Sequence, residues 1–263
     1  MSLAAELTRI IRSVPFDPEK TASKSQLIAQ TLCATSQWID KPNFDCFHPR
    51  DLELLFDLYD GLFFDNQLRL SLGETLLSFQ LSNRMTSRGG KTARYGDRHT
   101  GRLLKYEITI SSALMYETRF EQGERSLVTG IECLTRLEAL QRVFEHELIH
   151  LIEMILFQNS SCAQPQFQSI AFRFFGHTDH RHQMMTPRQR ARTDFGIRAG
   201  MMVRFEYADQ QFEGLVNRVT KRATVLVEDP EGLPYSDGKR YQKYYIPVDQ
   251  LEPVELSEHH PNR

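Results

Sequence analysis

The spacing of hydrophobic residues predicts helices through much of the first 160 residues. Residues 1–45 contain two segments of helical periodicity, separated by the proline-containing stretch 14–18. A third helix is predicted from Pro49 to about Phe64. The strongest signal covers residues 134–158, where no glycine or proline interrupts the helical spacing of Leu137, Leu140, Val143, Phe144, Leu148, Leu151, Ile152 and Ile155.

Alternating polar and apolar residues predict strands in two other parts of the chain. The segments 68–72, 76–85 and 103–111 have the twofold period of strands. After Pro187 the pattern changes to short strands separated by turns, and this is typical of a small antiparallel β-barrel. The sequence therefore predicts an α+β protein.

Three regions follow from these patterns. We expect a helical N-terminal extension over residues 1–45, a central domain over residues 46–190, and a small barrel of SH3-like, Tudor or KOW type over residues 196–256. The 263 residues are long enough for this division, and 17 Phe with 9 Tyr supply ample material for hydrophobic cores.

Composition excludes several classes of protein. No apolar run approaches the length of a membrane span, and the first residues lack the apolar core of a secretion signal. The 4 cysteines form no CxxC pair. With 32 basic against 34 acidic residues, the net charge of −2 argues against nucleic-acid binding by the whole surface. We expect a cytoplasmic protein.

The sequence HELIH at residues 146–150 carries the clearest chemical signal. Histidines four positions apart lie on one helix face, about 6 Å apart along the axis, so both rings can reach one ion. Three protein ligands on Zn²⁺ leave one position for water, and Glu147 stands where a carboxylate can take a proton from that water. We therefore predict His146 and His150 as zinc ligands and Glu147 as the general base.

The third zinc ligand must come from another segment of the chain. Glu153 lies too far along the helix axis to complete one tetrahedral shell with the two histidines, although it could orient a ligand. The nearby candidates are His177, His180 and His182. We favour His177, because Gly176 before it would let the backbone approach the site closely. The other two histidines remain open alternatives.

These motifs resemble the SprT-like zinc metallopeptidases, a family that includes the DNA–protein crosslink protease Spartan. The resemblance covers about residues 48–190 and rests on HELIH, the downstream pair Gly176-His177, and the upstream segments 58–64, 84–90 and 108–111. In that family the histidine of the Gly-His pair is the third zinc ligand, which corresponds to His177. The interval between HELIH and this pair is longer here than expected for Spartan-like members.

The resemblance implies a minimal zincin fold, in which the HExxH helix packs on a small mixed sheet. It also implies a metalloendopeptidase that hydrolyses peptide bonds through a zinc-bound water, with Glu147 as the base. An exposed edge strand would align the substrate peptide, and residues 104–111 are the candidate edge.

Two basic stretches raise the question of nucleic-acid partners. Residues 84–105 and 173–198 are rich in Arg and Lys, and phosphates would be attracted if both stretches lie near the site. DNA-associated proteins are therefore a candidate substrate class. Solvated surface charge explains the same residues equally well. The alternative function is a non-catalytic module that binds nucleic acid or protein and carries a structural or vestigial zinc.

Overall fold

The computed structural model describes residues 3–254, and these form a mixed α+β structure. Contacts divide the chain into two units, one ending at Met184 and the other beginning at Met185. The first unit contains α1 (Leu3–Ser13), α2 (Pro18–Thr35), α3 (Pro49–Phe64), α4 (Gln67–Leu72), β1 (Leu76–Ser82), β2 (Gly90–Gly96), β3 (Leu103–Ser111), α5 (Ser112–Met115), β4 (Ser126–Val128), β5 (Ile131–Cys133), α6 (Arg136–Phe157), α7 (Pro165–Phe175) and β6 (His182–Gln183).

The longest helix, α6, runs through the core of the first unit. Thr135 caps its first turn together with Glu138, an arrangement that satisfies the free amides at the start of a helix. Most of its residues are buried, including those that follow the predicted apolar pattern. Helices α1 and α2, which we expected as an extension, share this core through residues such as Leu7 and Ile28.

A three-stranded mixed sheet packs against α6. The strand order is β1-β3-β2, with β1 parallel and β2 antiparallel to β3. The central position of β3 corrects the expectation that residues 104–111 form an exposed edge. The edges are β1 and β2, and β2 is the strand that lies along α6, where the hydroxyl of Thr92 bonds to Glu147.

The segment 68–72 was predicted as a strand and is instead helix α4. Its first turn is held by the carboxylate of Asp60, which accepts hydrogen bonds from the backbone amides of Leu68 and Arg69 at 2.9 and 2.8 Å. The Leu-Arg-Leu-Ser-Leu alternation fits either structure over so few residues. This distant cap favours the helix.

A second small sheet positions the chain that follows α7. Strand β4 lies between β5 and β6, and Val128 is the register partner of His182. The turn between β4 and β5 also binds this segment, because Thr129 O accepts from the amides of Thr178 and Asp179, and Thr129 N donates to Arg181 O. Residues 178–183 are thereby fixed along the β4–β5 hairpin.

The second unit contains α8 (Pro187–Phe195), β7 (Met202–Tyr207), β8 (Gln210–Val219), β9 (Ala223–Pro234), β10 (Arg240–Ile246) and β11 (Glu252–Pro253). Its antiparallel sheet has the order β10-β9-β8-β7-β11. As far as residue 254, β10 and β11 do not pair with each other, so the predicted small barrel is observed as an open five-stranded antiparallel sheet. Residues 255 and 256 of the predicted range lie outside the described residues.

Strand β10 carries three tyrosines, two of which pack within the sheet. Tyr244 contacts Phe205 and Phe212, with ring centroids 5.4 and 5.0 Å apart. Tyr241 is buried, whereas Tyr245 is exposed. None of the helices between residues 3 and 254 has the combination of length and hydropathy needed to cross a membrane.

Candidate metal centre

The two histidines of the HELIH motif face each other on one side of α6. Their Nε2 atoms lie 3.2 Å apart, and the ring of Phe167 contacts both imidazoles. His146 is 4% exposed and His150 is half-buried. The helical spacing predicted from sequence therefore places two nitrogen donors within reach of one ion.

A hydrogen-bonded chain orients the ring of His150. Its Nδ1 lies 2.7 Å from Ser160 Oγ, and that hydroxyl donates to Glu153 Oε2 at 2.7 Å. Because the single hydroxyl proton goes to the carboxylate, Ser160 accepts the proton of His150 Nδ1, and this leaves the Nε2 lone pair free. A hydrogen bond from Gln166 also holds Glu153. Such outer partners are typical of metal-binding histidines.

His182 is the further histidine that the structure brings to this pair. Its ring centroid lies 4.4 Å from that of His146. Two groups of potential ligand atoms are found between residues 3 and 254, and in each the atoms lie within 4.8 Å of one another: His146, Glu147 and His182, and His146, His150 and Cys162. These His, Cys and carboxylate groups could hold a metal ion.

Buried ring nitrogens without partners support that interpretation. Within the described chain, Nε2 of His182 is buried and has no hydrogen-bond partner, and the same is true of Nδ1 of His146 and of His177. Burial lowers the pKa of His150 and of His182 to about 4, and it also lowers that of His146, to which the neighbouring histidines add. The rings are therefore neutral near pH 7, which is the form that donates a lone pair to a metal.

Glu147 lies on the sheet side of the same cluster. Thr92 Oγ1 is 2.8 Å from Glu147 Oε2 and 2.9 Å from the main-chain oxygen of Glu147. Burial raises the pKa of Glu147 to about 8, while the hydrogen bond from Thr92 and the charge of Arg88 act in the opposite direction. A carboxyl group with a pKa near neutrality is suited to proton transfer.

The close approach of β2 to α6 requires glycine at its start. A Cβ atom at Gly90 would lie 2.6 Å from both Cγ and Oε1 of Glu147, and one at Gly89 would lie 2.9 Å from Nδ1 of His182. Both glycines belong to the segment 84–90 on which the family resemblance rests. These glycines allow the sheet to contact the histidines and the carboxylate directly.

His177, the expected third ligand, lies in a different cluster. Its Nε2 is 2.8 Å from Glu145 Oε2, and Glu145 also binds Arg142 and the hydroxyl of Tyr59, each at 2.7 Å. His177 belongs to neither group of potential ligands. The reason given for it also fails, because Gly176 caps α7 with φ 71° and its open side faces Phe16.

A cleft of about 660 Å³ opens in front of the metal-ligand candidates. Its lining includes Arg88 and Lys91 from the first basic stretch and Arg181 from the second, so the structure brings members of both stretches to one place. Glu147 is the single carboxylate among the described lining residues. His180 also lines the cleft, with its Nδ1 3.6 Å from Asp179.

Sequence reasoning missed Ser160, Thr92 and Cys162. Ser160 and Cys162 lie in the loop between α6 and α7, which carries no motif of its own. For the β4–β5 hairpin, a signal was present: Thr129-Gly130 between short apolar segments is typical of a two-residue turn. Both residues have positive φ, 53° and 81°.

Comparison with protein-family models, curated proteins and solved structures gives no significant match. The chemistry of the site therefore rests on its own residues.

Proposed function

We propose that this protein is a zinc-dependent metalloendopeptidase with a minimal zincin arrangement of the SprT-like kind. The observation that carries the proposal is that His146 belongs to two groups of potential ligand atoms, one with Glu147 and His182 and one with His150 and Cys162, and that all five residues line one cleft. His146 and His150 are proposed as zinc ligands through Nε2. His182 takes the third position in place of His177, because its ring lies 4.4 Å from that of His146 and it shares a group of potential ligand atoms with it, whereas His177 is bound to Glu145.

Bound zinc would act as a Lewis acid that polarises the scissile carbonyl and makes water more acidic. Glu147 would accept the proton of the attacking water and deliver it to the leaving amine. Thr92 would hold this carboxylate through its hydrogen bond to Oε2. The chain of Ser160 and Glu153 would keep His150 in the tautomer that binds metal.

Strand β2 is the proposed guide for the substrate. It is an edge of its sheet, and Gly90, Lys91 and Thr92 line the cleft beside Glu147. An extended peptide could add to this edge by main-chain hydrogen bonds, and its scissile bond would then lie near Glu147.

The charge of the cleft favours acidic segments or proteins bound to nucleic acid. Arg88, Lys91 and Arg181 are exposed and line the same cleft as the proposed catalytic carboxylate. Phosphates or acidic side chains near the scissile bond would be attracted to them. We therefore propose proteins associated with DNA as candidate substrates.

A structural zinc site in a non-catalytic binding module is the second candidate function. It is favoured by one observation, the presence of Cys162 within reach of His146 and His150. Structural zinc sites are closed by four protein ligands. The open cleft and the buried carboxylate of Glu147 favour the peptidase, because a purely structural site needs neither.

The test is the variant Glu147→Gln in the zinc-loaded full chain. We expect it to retain about one zinc per chain and to cleave casein or a DNA-bound protein about 10²–10⁴-fold more slowly. Metal content is measured by elemental analysis and cleavage by gel electrophoresis. Glu74→Gln, a change at an exposed glutamate, is the matched control. Unchanged cleavage by Glu147→Gln would remove this residue from the mechanism.

A further inference from the structure

Cys162 lies at a point where a sulfur atom can reach the proposed metal site. Its Sγ and one ring nitrogen each of His146 and His150 all lie within 4.8 Å of one another. Between residues 3 and 254 the cysteines are free thiols, so Cys162 is not held in a disulfide. Its side chain is half-buried and lines the cleft that contains Glu147.

We propose that Cys162 is a displaceable fourth ligand, which closes the metal site in the resting protein and must leave before a peptide bond can be hydrolysed. This inference rests on the proposed function, because it concerns the same metal. The peptidase would be latent until the sulfur is released.

The loop that carries Cys162 is fixed to the site from both sides. Two residues earlier, Ser160 binds His150 and Glu153. The main-chain oxygen of Cys162 accepts a hydrogen bond from Gln168 of α7 at 3.2 Å. The same serine that orients a histidine ligand therefore fixes the start of the segment that brings the thiol to the cluster.

The chemistry needs no partner beyond solvent. When sulfur binds the metal, the thiol proton passes to water and a sulfur lone pair forms the bond. On release the thiolate takes a proton back from solvent, and no oxidant or reductant takes part. Three histidines and one sulfur would fill a tetrahedral site, so neither water nor a substrate carbonyl could enter until the sulfur leaves.

Two features favour a displaceable ligand over a permanent structural one. The cleft of about 660 Å³ gives solvent and substrate access to the cluster. Cys162 lies in a loop whose neighbours Ala163 and Gln164 are exposed, whereas His146 lies on the buried face of a long helix. Rotation of the Cys162 side chain would release the sulfur and leave Ser160 and the histidines on α6 in place.

The experiment uses the full chain loaded with Co²⁺ in place of zinc. Sulfur bound to Co²⁺ gives a charge-transfer absorption in the near ultraviolet that nitrogen and oxygen ligands do not give. We expect this band in the unaltered protein and its loss in Cys162→Ser. Cys46→Ser is the matched control and should keep the band, because Cys46 is exposed and belongs to neither ligand group. In the zinc form, X-ray absorption should detect one sulfur at about 2.3 Å.

A second measurement does not depend on any variant. Zinc should slow alkylation of Cys162 by iodoacetamide by about tenfold or more, since metal-bound sulfur is a poor nucleophile. Alkylation of Cys46 should be unaffected by zinc. Mass spectrometry of the digested protein follows both cysteines at once.

Measurements of casein cleavage then distinguish a displaceable Cys162 ligand from a permanent structural one. We expect Cys162→Ser to stay folded, keep its metal and cleave casein faster than the unaltered protein. Loss of fold or metal in this variant, with the sulfur signal present in the unaltered chain, would overturn displacement in favour of a structural zinc. Co²⁺ that binds without the charge-transfer band, or zinc that leaves alkylation unchanged, would overturn ligation by Cys162. Failure of the proposed function is distinct, because the Cys162→Ser variant would then keep its fold and its metal and yet cleave no casein.

Discussion

Two polar clusters lie along helix α6, each with one fully buried histidine, and they are built in opposite ways. At one, His177 is paired with Glu145, which also binds Arg142 and Tyr59. At the other, His146 lies close to both His150 and His182, and among residues 3–254 no carboxylate is found hydrogen-bonded to these rings as Glu145 is to His177. We call these the paired cluster and the open cluster.

The difference between the two clusters distinguishes a histidine with a structural role from one that is a candidate metal ligand. In the paired cluster, the positive Arg142 and the negative Glu145 compensate each other in the interior, and His177 adds a hydrogen bond. In the open cluster, Nε2 of His182 is buried without a hydrogen-bond partner, and the Nε2 atoms of His146 and His150 lie 3.2 Å apart, so a cation would supply a partner for all three nitrogens. Burial alone does not distinguish the two clusters, because both contain buried histidines.

The largest expected effect comes from breaking the paired cluster with Glu145→Ala. This change leaves the buried charge of Arg142 without its partner, so we expect a loss of about 3–5 kcal/mol in the free energy of unfolding. Urea denaturation of the metal-free chain measures it. Glu132→Ala removes an exposed ion pair with Arg125 and should change stability little. Equal effects of the two variants would contradict the assigned role of Glu145.

Replacing each of the two candidate third ligands by alanine tests the comparison directly. His182→Ala should weaken zinc binding by more than about 100-fold, beyond the 10–100-fold typical of outer partners. His177→Ala should keep zinc affinity near that of the unaltered chain and lower stability instead. Competition with a chromophoric chelator measures affinity. The opposite result would restore His177 as the third ligand.

A smaller effect is expected from Ser160→Ala, which removes the group between His150 and Glu153. Zinc affinity should fall about 10–100-fold, because His150 loses the acceptor that fixes its tautomer. Ser161→Ala, at the adjacent residue of the same loop, is the matched control. If both variants bind zinc equally well, the relay through Ser160 has no role in metal binding.

The smallest effect is the pH dependence of stability in the metal-free chain. The folded-state pKa values of His150 and His182, about 4, lie below the ordinary 6.5, so their contribution is present above pH 6.5 and is lost toward pH 4. The pKa of Glu147, about 8, lies above the ordinary 4.5, so its contribution is present below pH 4.5 and is lost toward pH 8.

Between pH 4.5 and 6.5 the two trends oppose each other. The stability gained from the two histidines as pH rises exceeds the stability lost from the one carboxyl group. Stability should therefore rise up to about pH 6.5 and then decline toward pH 8. Glu147→Gln should remove that decline. Urea denaturation across this range measures both curves, and a variant that declines as steeply as the unaltered chain would show that Glu147 is not the cause.

The helices were easier to predict than the arrangement of the sheets. Helix α6 and strand β3 appear close to their expected bounds, since long periodic segments specify their own conformation. Helix α4 was wrongly expected as a strand, because five alternating residues could not reveal the cap from Asp60. The expected edge, β3, is the central strand, because pairing depends on distant segments.

The sequence alone determined that His146, Glu147 and His150 lie together on one helix, because the helical repeat fixes residues one and four positions apart. It did not determine which of the later histidines joins them. That was decided when β6 paired with β4 and carried His182 to the open cluster, while Glu145 bound His177 on another face. Tertiary structure likewise placed Ser160 and Cys162, because the loop after α6 takes its position from contacts with the helix and α7 rather than from any local repeat.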